Sequence, residues 1–200
     1  MTQGKAKNAT GKLRIIGGTW RSRVLPVIDL PGLRPTTDRV RETLFNWLQN
    51  DISGARCLDL FAGSGALGFE AASRGSASVV MLEQQSKAAD VLAKNMQTLK
   101  ADNIQLIRED AMAWLSSACS QGGAKQSFDI VFLDPPFDSD YMAQACELLE
   151  AQQCLSDQAF IYLEMDAKRN LPELPESWSI IREKQAGQVS YYLAKRYAEV

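Results

Sequence analysis

From residue 56 onward, short apolar runs alternate with stretches whose apolar residues recur every three or four positions. The runs at 56–61, 78–83, 104–108, 128–133 and 159–165 predict strands, and the stretches near 66–74, 86–99, 111–118 and 139–152 predict helices. That alternation predicts an α/β fold, a doubly wound, Rossmann-like sheet that is mostly parallel. Each of the first four runs ends in something polar: Asp59 with a glycine turn, Glu83, Asp110 and Asp134. Open α/β sheets bind ligands at the carboxyl ends of their strands, so these four positions are the first candidates for a site.

The two ends of the chain read differently. Residues 13–25, LRIIGGTWRSRVL, predict a β-hairpin turning at Gly17-Gly18, with Arg21 and Arg23 on one face of the second strand and Trp20 anchoring the other. After a Pro/Gly linker, Thr36 or Thr37 can cap a helix to about Gln49, with Val40, Leu44, Trp47 and Leu48 as its buried stripe. In the tail, WSIIREKQAGQVSYYLAKR predicts a hairpin joined at Ala186-Gly187 whose last strand enters the sheet antiparallel. Two units are therefore expected: a basic extension over 1–50 and an α/β domain over 51–200.

Composition narrows the chemistry. The 200 residues contain no histidine, which removes imidazole as base or metal ligand. The four cysteines form no Cys-x-x-Cys pair and are expected to be reduced, structural thiols. No stretch approaches the roughly 18 apolar residues of a membrane span, and no apolar run follows the basic first residues, so a soluble cytoplasmic protein is expected. The net charge of −2 conceals an asymmetry: residues 1–47 carry nine basic against three acidic side chains. A basic arm on an acidic domain points to a polyanion. Arg14, Arg21, Arg23, Arg34, Arg39 and Arg41 are the candidates for gripping its phosphates, such as those of an RNA backbone, against the plain alternative of a solvated charged surface.

Two motifs carry the chemistry. In RCLDLFAGSGALG a strand breaks at Gly63, Gly65 and Gly68 and opens a helix, with Glu83 about 20 residues on, the spacing of a dinucleotide-binding turn. Glycine turns between strand and helix also occur without any ligand, and this spacing fits a dehydrogenase as well. The second motif is Asp134-Pro135-Pro136-Phe137 after the run FDIVFL, where two prolines also simply stop a strand.

Together the motifs resemble the S-adenosylmethionine-dependent methyltransferases that modify exocyclic amines of nucleobases. More narrowly, RIIGGTWRSRVL, LRPTTDRVRETLFNWL, DLFAGSGALGFEAASRG and DPPF resemble the RsmD family. The resemblance implies methylation of N2 of a single guanine of 16S ribosomal RNA, guanine 966 in the standard small-subunit numbering. It implies action on the small ribosomal subunit or an assembly intermediate, with ribosomal proteins present, and a monomer is expected. It implies S-adenosylmethionine as cofactor, S-adenosylhomocysteine as product, and no metal. Asp59, Phe61, Ala62, Gly63 and Gly65 would hold its methionine end, Glu83 the ribose, and Asp110 with Ala111 the adenine. Asp110 also reads as a helix N-cap, and both roles can hold together. Asp134, Pro135, Pro136 and Phe137 would present the target amine and stack on the base. A dehydrogenase would leave Asp-Pro-Pro-Phe without a role, and a non-catalytic RNA-binding factor would have no need of the complete carboxylate and glycine set.

Overall fold

The computed structural model describes residues 10–28, 37–118, 128–136 and 140–197. β1 (Thr10–Arg14) and β2 (Val24–Ile28) form a two-stranded antiparallel sheet, followed by α1 (Asp38–Trp47). Then come β3 (Arg56–Asp59), α2 (Ala66–Ser73), β4 (Ser78–Leu82), α3 (Ser86–Leu99), β5 (Ile104–Ile107), α4 (Ala111–Ala118), β6 (Phe128–Leu133), α5 (Tyr141–Ala151), β7 (Leu155–Asp166), β8 (Trp178–Ala186) and β9 (Val189–Arg196). The second sheet has the order β5-β4-β3-β6-β7-β9-β8, parallel through β7. β9 runs antiparallel between β7 and β8, so the tail hairpin enters the sheet as expected.

Strand alternation divides the core into two layers. Cys57, Val79, Ile130 and Phe132 face one side, while Leu58, Val80, Val131 and Leu133 face the other. The second side packs on α4 and α5 through Leu115, Ala145 and Leu149. The first is covered by α1, α2 and α3, and the terminal hairpin joins it through Leu13, Ile15, Leu25 and Val27. On α1 and its cap, Phe45 is buried along with Val40, Leu44 and Leu48, whereas Trp47 is half-buried and meets Tyr191 in a tilted ring contact. Thr37 caps that helix, its hydroxyl accepting from Val40 N at 3.4 Å. Thr36 lies outside the described residues.

The hairpin differs from its expected form. β2 begins only at Val24, so residues 15–23 form a loop, with Ile15 N donating to Arg23 O and Ser22 N to Ile15 O. Arg21 and Arg23 therefore do not share a strand face. The loop is shaped by docking on the end of α2. Thr19 N donates to Ser73 O at 2.7 Å, Trp20 N donates to Ser73 Oγ, and Ser73 Oγ donates to Gly17 O. Gly18 has φ +74°, and a Cβ there would sit 1.8 Å from Ser73 O, so only glycine allows the approach. Trp20 packs against the core, the anchoring expected of it.

Cys57 and Cys146 are free and buried, but Cys154 is disulfide-bonded, which corrects the expectation of four reduced thiols. Sequence spacing excludes only local pairs, and folding joins distant ones. Among the described residues no helix is long and apolar enough to cross a membrane.

Candidate active site

The chain runs outward from β3 to β4 and β5, then returns to lay β6 on the other flank of β3. The crevice beyond the carboxyl ends of β3 and β6 is thus the switch point of the sheet, where such folds bind ligands.

On the β3 flank the carboxylates are tied to the turns they border. Asp59 Oδ2 accepts from Gly68 N at 2.9 Å, holding the start of α2 against its strand. Gly65, at φ +78°, precedes that helix; a Cβ on it would lie 2.6 Å from the Phe69 ring. Glu83 Oε2 accepts from Gly63 N at 3.0 Å and its Oε1 from Gln85 N at 2.7 Å. A carboxylate offers about four lone-pair sites, so Glu83 retains acceptor capacity for a diol while fixing the glycine turn. Asp110 Oδ1 accepts from Met112 N and Ala113 N, which makes it the N-cap of α4, whose first residue is the buried Ala111. Ala62 is buried beneath the turn, and the Phe61 ring stacks on Tyr141 with centroids 6.0 Å apart and planes 15° from parallel.

Burial also sets the electrostatics. Desolvation pushes the Asp59 carboxyl up to about 7 against the Gly68 hydrogen bond, and repulsion from Glu83 adds to the rise. Glu83 is raised by desolvation too, opposed by its two backbone donors. Three strand ends on this flank carry carboxyl groups, an acceptor set suited to hydroxyls and amines.

On the other flank β6 delivers Asp134, half-buried, then buried Pro135 and exposed Pro136. Phe137 lies outside the described residues. Beyond the prolines, toward β7, opens a cavity of about 180 Å³ to which Glu164, Met165, Arg169 and Asn170 also contribute. These residues and Tyr141 escaped the sequence reading. The available signal was Glu164, an acid inside the apolar run FIYLEM.

The basic candidates separate. Arg14, Arg21, Arg23 and Arg39 are exposed, and Arg34 lies outside the described residues. Arg41, expected to grip RNA, is 1% exposed. Its Nη2 donates to Arg14 O at 2.8 Å and to Asp38 Oδ1 at 2.6 Å, and its Nη1 lies 3.6 Å from Glu70 Oε2. The physical reason is Glu70: fully buried on α2, it also accepts from Ile16 N, Gly17 N and Arg74 Nε, and its charge requires cations around it. Arg41 is thus a buried tie between α1, the hairpin and α2.

A seven-stranded, mostly parallel sheet with an antiparallel β9 and with its carboxylates and glycine turn at the switch point places the chain in the class of Rossmann-like methyltransferases. A solved protein described as "Putative methyltransferase yhhF from Escherichia coli" superposes with TM-score 0.84 at 46% identity, covering 94% of this chain and 100% of that one. Residues 13–195 match the family described as "Conserved hypothetical protein 95", and the chain belongs to it, the RsmD family. Its relative "Ribosomal RNA small subunit methyltransferase D" of Escherichia coli (strain K12) is 50% identical over 192 residues, 96% of this chain and 94% of that protein. An RNA methyltransferase from Salinibacter ruber in complex with S-adenosyl-L-homocysteine shares the fold at 18% identity and TM-score 0.60, over 84% of this chain and 96% of that one.

Proposed function

We propose that this protein transfers the methyl group of S-adenosylmethionine to the exocyclic N2 of one guanine in 16S ribosomal RNA, guanine 966 in the standard small-subunit numbering, on the small subunit or an assembly intermediate. The observation that carries the reading is Asp134-Pro135 at the end of β6, across the switch point from the Asp59–Gly68 turn. The family relative named for small-subunit ribosomal RNA supports the substrate class.

When bound, S-adenosylmethionine supplies a methyl group already activated by a sulfonium, so the chain needs neither nucleophile nor histidine. Asp59 would hold the glycine turn through Gly68 N, and Glu83 would accept from the ribose hydroxyls. Asp110 and Ala111 border the adenine. Across β6, the Asp134 side chain and the Pro135 carbonyl accept the two amine hydrogens of guanine N2. Its lone pair is delocalised into the ring, and those two bonds favour the geometry that exposes it. Phe137 stacks on the extruded base, worth roughly 1–3 kcal/mol. Placing the amine in line can account for about 7–11 kcal/mol of barrier, and a proline-braced strand end gives the required rigidity. Arg14, Arg21, Arg23, Arg34 and Arg39 hold phosphates, which offsets the unstacking of the target base.

The test is incubation with methyl-labelled S-adenosylmethionine and small subunits lacking the modification, followed by digestion of the RNA. Label in N2-methylguanosine at a single position is the expected result. Absence of label from subunits and from naked 16S RNA, despite measured cofactor binding, would overturn the substrate assignment.

A further inference from the structure

Asp134 and Pro135 lie where β6 leaves the sheet. The ladder partners of β6 run to Phe132 on the β3 side and to Leu133 on the β7 side, and Pro135 and Pro136 have no N–H to donate to a further rung. The position of this segment therefore depends on the element that follows it, α5. The first turn of α5 is fastened to both flanks of the switch point. Toward β7, its N-cap residue Asp140 pairs with Arg169 at 3.2 Å, and Met142 and Ala143 line the cavity. Toward β3, the Tyr141 ring stacks on Phe61, with both rings half-buried.

Of the two fastenings, the ring contact is the firmer. The Asp140–Arg169 pair is exposed, and surface ion pairs contribute little. Phe61 is fixed through the backbone on either side of it: Leu60 N donates to Phe132 O at 3.2 Å, and Ala62 N to Leu82 O at 2.9 Å. Its ring packs against the core layer that includes Leu58, Leu133 and Leu149. Phe61 also opens the glycine turn, so a single ring contact joins that turn to the helix that follows Asp134-Pro135.

We infer that Tyr141 is a positioning residue for methyl transfer: stacked on Phe61, its ring sets the separation between the glycine turn and the Asp134-Pro135 acceptors. The inference rests on the methyl-transfer reading above, in which the turn holds the cofactor and those acceptors hold the amine. In-line attack needs the reacting atoms about 3–3.5 Å apart, and a misplacement of about 1 Å can cost on the order of 100-fold in rate. A brace between the two cradles is where such precision is kept or lost.

The experiment uses the full chain, S-adenosylmethionine and small subunits lacking the modification. It reads the single-turnover rate constant at saturation beside the affinities for subunits and for S-adenosylhomocysteine. Tyr141→Ala is expected to lower the rate constant about 10- to 100-fold and to leave both affinities within about 2-fold. Tyr141→Phe keeps the ring and is expected to stay within about 3-fold of wild type. A rate constant for Tyr141→Ala within about 3-fold of wild type overturns the inference. So does a loss that Tyr141→Phe shares, because the hydroxyl and not the ring then matters. A fall in subunit affinity as large as the fall in rate overturns it too, since Tyr141 is then an RNA contact. Added to Phe61→Leu, Tyr141→Ala is expected to lower the rate constant no further than the larger single change; effects that multiply show the rings acting independently and overturn the inference. Should Tyr141→Ala fail to fold, Tyr141→Leu keeps apolar bulk without the flat ring: a loss that Tyr141→Phe does not share supports the inference, and a wild-type rate overturns it. Absence of transfer by the wild-type protein sinks the methyl-transfer reading and this inference together. Transfer by the wild type with an unaltered rate in the variants sinks the inference alone.

Discussion

The two flanks of β6 use carboxylates in different ways. Toward β3, Asp59, Glu83 and Asp110 each accept from backbone N–H groups of the turns and helix starts beyond β3, β4 and β5, so the side chains and that backbone fix one another. Toward β7, Glu164 is held by a side chain, Tyr162, and its cavity is bordered by partly exposed Arg169, which pairs with Asp140 at 3.2 Å. A small cofactor gains from a cradle formed in advance, because no ordering is left to be done on binding. A base extruded from a large RNA needs an entrance, and its binding energy comes from phosphates far from the reacting atoms.

The largest expected effect separates chemistry from cofactor binding. Asp134→Ala is expected to lower single-turnover methyl transfer by about 100- to 1,000-fold, the scale of losing one well-placed acceptor. Affinity for S-adenosylhomocysteine, measured by calorimetry, should stay nearly unchanged. Glu83→Ala is expected to do the reverse, weakening cofactor affinity by roughly 30- to 150-fold, or about 2–3 kcal/mol for hydrogen bonds to a charged group. Equal loss of cofactor binding in both variants would erase the division between the flanks.

A smaller effect concerns pH. Because burial pushes Asp59 up to about 7, the folded protein retains a proton that the unfolded chain releases near its ordinary 3.8. Stability should therefore fall as pH rises across that window and level off above it, by no more than about 4 kcal/mol. Asp59→Asn is expected to flatten this slope, checked by thermal melts at about pH 5 and about pH 8. A slope that survives the substitution would assign the proton elsewhere.

The smallest effect tests the distant source of binding energy on the RNA side. Paired Arg21→Glu and Arg23→Glu changes should weaken subunit binding about tenfold at low salt and reduce the slope of log affinity against log salt by about 1.5–2. Cofactor affinity should not move with salt in this way. Unchanged subunit affinity would assign both arginines to the hairpin's solvated surface.

Periodicity and turn chemistry made most of the sheet legible. The strands at 56–59, 78–82, 104–107 and 128–133 lie within the apolar runs, and Asp59, Glu83, Asp110 and Asp134 stand at their ends as read. These features are local: alternation reports which face of a strand is buried, and a glycine turn reports the backbone angles it needs. What folding alone brought about involves partners far apart in the chain. Ile16 and Gly17 meet Glu70 more than fifty residues away, and that contact turns an expected strand into a loop and draws Arg41 inward to balance a buried charge. Glu164 is an acid in an apolar run until β7 lies beside β6; its place on the cavity wall follows from strand order. A one-dimensional pattern encodes burial and backbone angles, whereas the pairing of distant charges and the walls of a cavity exist only once the strands are side by side.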